Sequence, residues 1–121
     1  MTENQKEALH RINMANRNGS FVLDLKNLEL TELPKKIFEP TNFWWLDLSN
    51  NQLPYLPESI GKLTNLLRLN LSNNLLSSLP ESIGKLTKLT RLDLSNNKLT
   101  RLPKSISKVI DLNWRVSKSH K

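Results

Sequence analysis

Leucine returns along this chain on a beat of 23 residues, and polar residues fill the intervals just as regularly. Registers starting at Ser20, Phe43, Leu66 and Leu89 align without a gap. The fourth position reads Leu23, Leu46, Leu69 and Leu92, and the sixth Leu25, Leu48, Leu71 and Leu94. Leucine also holds the eleventh position (Leu30, Leu53, Leu76, Leu99) and the fourteenth (Leu33, Leu56, Leu79, Leu102). Proline follows each of the last four, and isoleucine recurs at Ile37, Ile60, Ile83 and Ile106. Such self-similarity is the mark of a stacked-repeat architecture.

Each register changes its local period. Leu-x-Leu at positions four and six alternates as a strand does, with both leucines on one face. Proline at position fifteen cannot donate a ladder hydrogen bond, so it ends the strand and opens an irregular or 3₁₀ return. Gly61 and Gly84 are expected to relax the backbone on that return. Asparagine at position nine (Asn51, Asn74, Asn97) both donates and accepts, which suits it to backbone groups left open at a turn. The first register has Leu28 there and must close its turn differently. A lone register buries too little apolar surface to stand by itself, so neighbours must cover its open faces.

The end registers then need lids. Thr2 and Gln5 form a capping-box pair, Ala8, Ile12 and Ala15 fall on one helical face, and Gly19 is a good stop. The predicted organisation is a helical cap over 1–19, four repeats over 20–111 (20–42, 43–65, 66–88 and 89–111) and a C-terminal cap or tail over 112–121. Continuing the beat of 23 puts Arg115 in a core column and leaves Trp114 as expected cap core, so the repeat has decayed there.

Composition narrows the function. The chain has 121 residues and no cysteine, which excludes disulfides and thiol chemistry and favours a reducing, cytosol-like setting. The expected location is cytoplasmic, in its own cell or in a host cell reached without a signal peptide. No apolar run approaches the ~18 residues of a membrane span. Of the net charge of +7, residues 89–121 carry +6, with eight lysines and arginines against Asp93 and Asp111. That basic end is read first as a solvated, solubilising surface.

The run from Leu79-Pro80-Glu81-Ser82-Ile83-Gly84 through Asn97-Lys98-Leu99 resembles the leucine-rich-repeat superfamily, in its 23-residue subtype of bacterial and plant intracellular proteins. The resemblance covers about residues 20–111. It implies an α/β solenoid, a right-handed arc with a parallel sheet on its concave side and an irregular or 3₁₀ convex side. It also implies protein binding on the concave face. Short members include proteins that bacteria deliver into host cells, and others regulate kinases or GTPases.

If positions four and six face the core, positions three, five and seven face outward. Position three reads Val22, Trp45, Arg68 and Arg91; position five reads Asp24, Asp47, Asn70 and Asp93; position seven reads Lys26, Ser49, Ser72 and Ser95. Position two adds Phe21, Trp44, Leu67 and Thr90 near the start of each strand. Tryptophan and arginine are the residues most enriched at binding hot spots. The candidate protein-binding residues are therefore Trp44, Trp45, Asp47, Arg68, Asn70, Arg91 and Asp93. The competing bland readings are that Trp44 covers core and that Arg68 and Arg91 only pair with Asp47 and Asp93.

No catalytic constellation is present. His10 and His120 lie at opposite ends, the outer carboxylates lack an apolar pocket, three glycines do not build a phosphate loop, and no metal-ligand spacing occurs. Glycosylation sequons at Asn18 and Asn70 are read as accidental. The expectation is a monomeric, non-enzymatic module that needs no cofactor, takes no small-molecule substrate and holds a partner protein as its regulator or inhibitor. The alternative is nucleic-acid or anionic-surface binding through the basic C-terminal end, which has only Trp114 as an interleaved aromatic.

Overall fold

The structure is a computed structural model that describes residues 1–40, 42–109 and 113–116, the last four as backbone. Helix α1 (Glu3–Asn18) is followed by five short parallel strands, β1 (Val22–Asp24), β2 (Trp45–Asp47), β3 (Arg68–Asn70), β4 (Arg91–Leu94) and β5 (Asn113–Val116). They form one sheet in chain order. Between strands the chain returns through single 3₁₀ turns at Lys35–Phe38, Glu58–Lys62, Glu81–Lys85 and Lys104–Lys108, each begun by the proline of its register. The fold is the expected α/β solenoid.

Because β1 to β4 pair with a constant offset, identical columns become rows across the sheet. Leu23, Leu46, Leu69 and Leu92 are backbone partners in succession. The row formed by Leu25, Leu48, Leu71 and Leu94 is wholly buried, as are Ile37, Ile60 and Ile83 behind it. Each repeat thus supplies one slice of a continuous apolar core. Helix α1 closes the first slice with Ala8 and Ile12, both fully buried. Its capping box is formed: Gln5 N–H donates to Thr2 Oγ1 at 3.0 Å, and Thr2 N–H donates to Gln5 Oε1 at 2.9 Å. Gly19 ends the helix in the left-handed region at φ 65°. On its outer side Arg11 donates from Nε to Glu7 at 2.8 Å, and this bond holds the Glu7 carboxyl below its ordinary pKa.

The asparagines of position nine reach backward, with Asn51 and Asn74 buried and Asn97 partly so. Asn74 Nδ2 donates to Leu48 O in the preceding repeat and to Leu71 O and Ser72 O in its own, while its Oδ1 accepts from Leu53 N–H. Asn51 does the same for the first repeat, accepting from Leu28 N–H and Leu30 N–H and donating to Leu25 O. This is how the register lacking its own asparagine closes its turn, with Glu29 also held at φ 52°. Position eight carries the sharper backbone demand: Asn27, Asn50, Asn73 and Asn96 all have φ between 57° and 61°. Asparagine enters that region more readily than other residues with a side chain, because its short amide bonds locally.

Three expectations change. Gly61 and Gly84 do not relax the backbone, since neither has positive φ. They make room: a Cβ on Gly61 would stand 2.9 Å from the Ser82 backbone oxygen, and one on Gly84 would stand 2.7 Å from that of Ser105. The 3₁₀ turns stack so closely that Ser82 Oγ donates to Glu58 O at 2.7 Å and Ser105 Oγ to Glu81 O at 2.6 Å. Position seven does not face outward in the middle repeats, because Ser49 and Ser72 are buried. Finally, β5 arrives one residue early. Trp114 pairs with Leu92, Arg115 with Asp93 and Val116 with Leu94, so the backbone register removes Arg115 from the core column and puts Trp114 in it. The expected C-terminal cap falls partly on residues 112 and 117–121, outside those described, and Lys118, His120 and Lys121 lie there with it.

Candidate functional site

The sheet brings the candidate residues of positions two, three and five into three adjacent rows. In the third-position row, Val22 pairs with Trp45, Trp45 with Arg68, and Arg68 with Arg91. Val22 and Arg91 are exposed, and Trp45 and Arg68 are half-buried. The Arg68 guanidinium lies over the Trp45 ring, its Cζ 4.2 Å from the centroid. Trp44 is stacked with Trp45 as well, with ring centroids 6.5 Å apart and an interplanar angle of 28°. Trp44 keeps 36% of its surface exposed and lies outside the core cluster, so it rests on its neighbour rather than sealing the interior. The result is a stack of indole, indole and guanidinium across two strands.

Among the described residues neither arginine forms an ion pair with a carboxylate. The fifth-position carboxyls are engaged elsewhere. Asp47 Oδ1 accepts from Ser49 N–H at 3.0 Å and Ser49 O–H at 2.7 Å, and Asp93 makes the same pair of bonds to Ser95. Asn70 does likewise with Ser72, its amide oxygen standing where the carboxylate oxygen stands in the flanking repeats. This row therefore has a structural task that was missed, to tie off the end of each strand. The signal was available as Asp/Asn-x-Ser recurring at positions five and seven, the spacing of a local side-chain turn.

Beside the stack, Trp45, Arg68, Asn70, Arg91 and Asp93 line a shallow hollow of about 130 Å³, floored by Leu69 and Leu92. Position two forms the rim at the N-terminal ends of the strands. There Trp44 N–H donates to Phe21 O, Leu67 N–H to Trp44 O, and Thr90 N–H to Leu67 O, each at 2.8 Å. Phe21 is 54% exposed and Leu67 38%. Tyr55 is also exposed but lies off the strands, apart from this surface. No group of three potential metal ligands exists among the described residues. No helix among them is long and apolar enough to cross a membrane.

The family profile for the leucine rich repeat matches residues 45–99. The chain is a leucine-rich-repeat protein. Among solved structures it is similar to a leucine-rich-repeat protein of Leptospira interrogans, at 35% identity and a TM-score of 0.65, over 87% of this chain and 33% of that one. The leucine-rich-repeat domain of the type III effector XopL shares the fold at 23% identity and a TM-score of 0.77, over 92% of this chain and 40% of that one. A chain of the Toll–Spatzle complex of Drosophila matches at 25% identity and a TM-score of 0.70, over 80% of this chain and 14% of that one. This leucine-rich-repeat chain thus spans a third of the length of the Leptospira protein and less than half of the other two. No curated protein matches it.

Proposed function

We propose that this leucine-rich-repeat protein captures a partner protein on the outer face of its sheet, through Trp44, Trp45, Arg68 and Arg91, with Asp47, Asn70 and Asp93 framing the contact. One observation carries the reading: Arg68 is stacked on Trp45 with its guanidinium edge unpaired among the described residues, on a row that the core does not need. Stacking fixes an arginine before a partner arrives, which lowers the ordering cost on association. The hollow of about 130 Å³ is well below the ~300–1,000 Å³ of small-molecule pockets, so it suits one side chain of a larger partner. A module of this kind acts by occupancy, blocking or positioning the protein it holds, and leucine-rich-repeat domains are in general non-enzymatic binding modules.

The test is recovery of a partner from native lysate by the wild-type chain and by the Trp45→Ala, Arg68→Ala double variant. The variant should lose the partner and keep its circular dichroism spectrum, since neither residue belongs to the core. Undiminished recovery by the variant would exclude this face. Nucleic-acid binding through the basic end is the competing reading, favoured by the charge of +6 over residues 89–121. A phosphate binder loses affinity steeply between low and moderate salt; aromatic-anchored capture is expected to change little over that range.

A further inference from the structure

Resting on that reading, we infer that the segment captured is an acidic amphipathic helix lying across the strands, its apolar side on the rim and its carboxylates toward Arg68 and Arg91. The surface is graded in two directions. Along the rim, Phe21, Trp44 and Leu67 are all exposed and immediately precede three successive strands. Beside it, the third-position row changes from apolar to cationic, from Val22 and Trp45 to Arg68 and Arg91. Soluble monomers rarely leave contiguous apolar surface rimmed by fixed charge without a use for it. Apolar contact along one line and anionic contact along the next is the complement of an amphipathic element with carboxylates flanking its apolar stripe.

Spacing selects the helix. Adjacent strands stand about 4.8 Å apart, so the three rim residues are spaced at about 4.8 Å. A helix presents one face every turn, about 5.4 Å, and drifts from the rim by only about 1 Å over two turns. An extended segment presents one face about every 6.7 Å and would be about 4 Å out of step at the third contact. A partner helix with apolar residues at i, i+4 and i+7 follows the rim, and Asp or Glu beside the third of these and one turn beyond it meets Arg68 and Arg91 on the third and fourth strands. Asp47 and Asp93 do not oppose this strongly, because each already accepts two hydrogen bonds from its own serine. They do disfavour carboxylates placed further down the strands, which fixes the side on which the acidic residues sit.

The experiment is selection from a display library of random 18-residue peptides on the full chain, with the peptides recovered then measured by fluorescence anisotropy. Enriched sequences should carry the i, i+4, i+7 apolar spacing with flanking Asp or Glu, and their affinity should fall at least tenfold against the Arg68→Glu, Arg91→Glu variant. The same selection on that variant should enrich Lys or Arg at the same places, which also shows that the variant is folded. Enrichment of extended or basic sequences on the wild-type chain, no enrichment, or binding indifferent to the charge reversal would overturn the inference. Displacement of selected peptides by a DNA oligonucleotide at equal concentration would overturn it too, in favour of a general anion surface. If these selections fail while the Trp45→Ala, Arg68→Ala variant still loses its lysate partner, the helix is wrong and protein capture on this face stands.

Discussion

The inner and outer faces of the sheet are built from the same strands and follow opposite rules. Inward, four repeats place leucine at the same two positions every time, and every one of those side chains is buried. Outward, the third position passes through valine, tryptophan, arginine and arginine on successive strands, with no two neighbours alike until the last pair. Since the strands share one backbone geometry, the difference cannot come from the local fold. Repeats that must stack are held to one shape where they touch each other, and are released from it where they do not. A repeat protein therefore carries its own control: a constant column reports packing, and a variable column on a constant scaffold reports what the scaffold presents.

The comparison can be broken hardest at the asparagines. Asn74→Ala leaves Leu53 N–H without its acceptor in the interior, while Leu48 O keeps the second of its two asparagine donors, Asn51 Nδ2. It should destabilise by about 1–3 kcal/mol for the group left unpaired, read as a lower midpoint in urea unfolding. Next comes the stacking of the 3₁₀ turns. Gly84→Ala puts a methyl within 2.7 Å of the Ser105 backbone oxygen and should cost about 1–2 kcal/mol, within the range for overpacking. A gain in stability there would restore the view that the glycine serves only backbone freedom. The smallest effect sharpens the contrast rather than breaking it. Asp47→Asn copies what Asn70 already does in the next repeat, so its unfolding free energy should change by less than about 0.5 kcal/mol, read by urea unfolding. Any larger loss of partner affinity would then belong to the outer face alone.

The fold was legible because periodicity reports what faces inward, and four copies made the period unmistakable. The capping box, the burial of Ala8 and Ile12 and the stop at Gly19 followed from local rules. Three things were not legible for one shared reason, that they depend on the distance between repeats rather than on the order within one. Glycine at Gly61 and Gly84 is set by the next turn's serine. The left-handed asparagines were hidden behind their neighbours at position nine, which look alike in sequence and do different work. The early arrival of β5 depends on a single residue omitted from the last return, which a fixed beat reads as decay. For the site, sequence placed Trp45, Arg68 and Arg91 on one row, but not the stacking of Arg68 on Trp45 or the serine bonds of Asp47 and Asp93.

The backward reach of the asparagines gives assembly a direction. Leu28 and Leu30 depend for their amide bonds on Asn51, and Leu53 on Asn74, each more than twenty residues further along. A chain emerging from the ribosome amino end first can lay down one coil of this solenoid, but cannot fasten it until the following coil has been synthesised. Each coil is locked from downstream, in the manner of a rope whose every turn is trapped by the one laid over it.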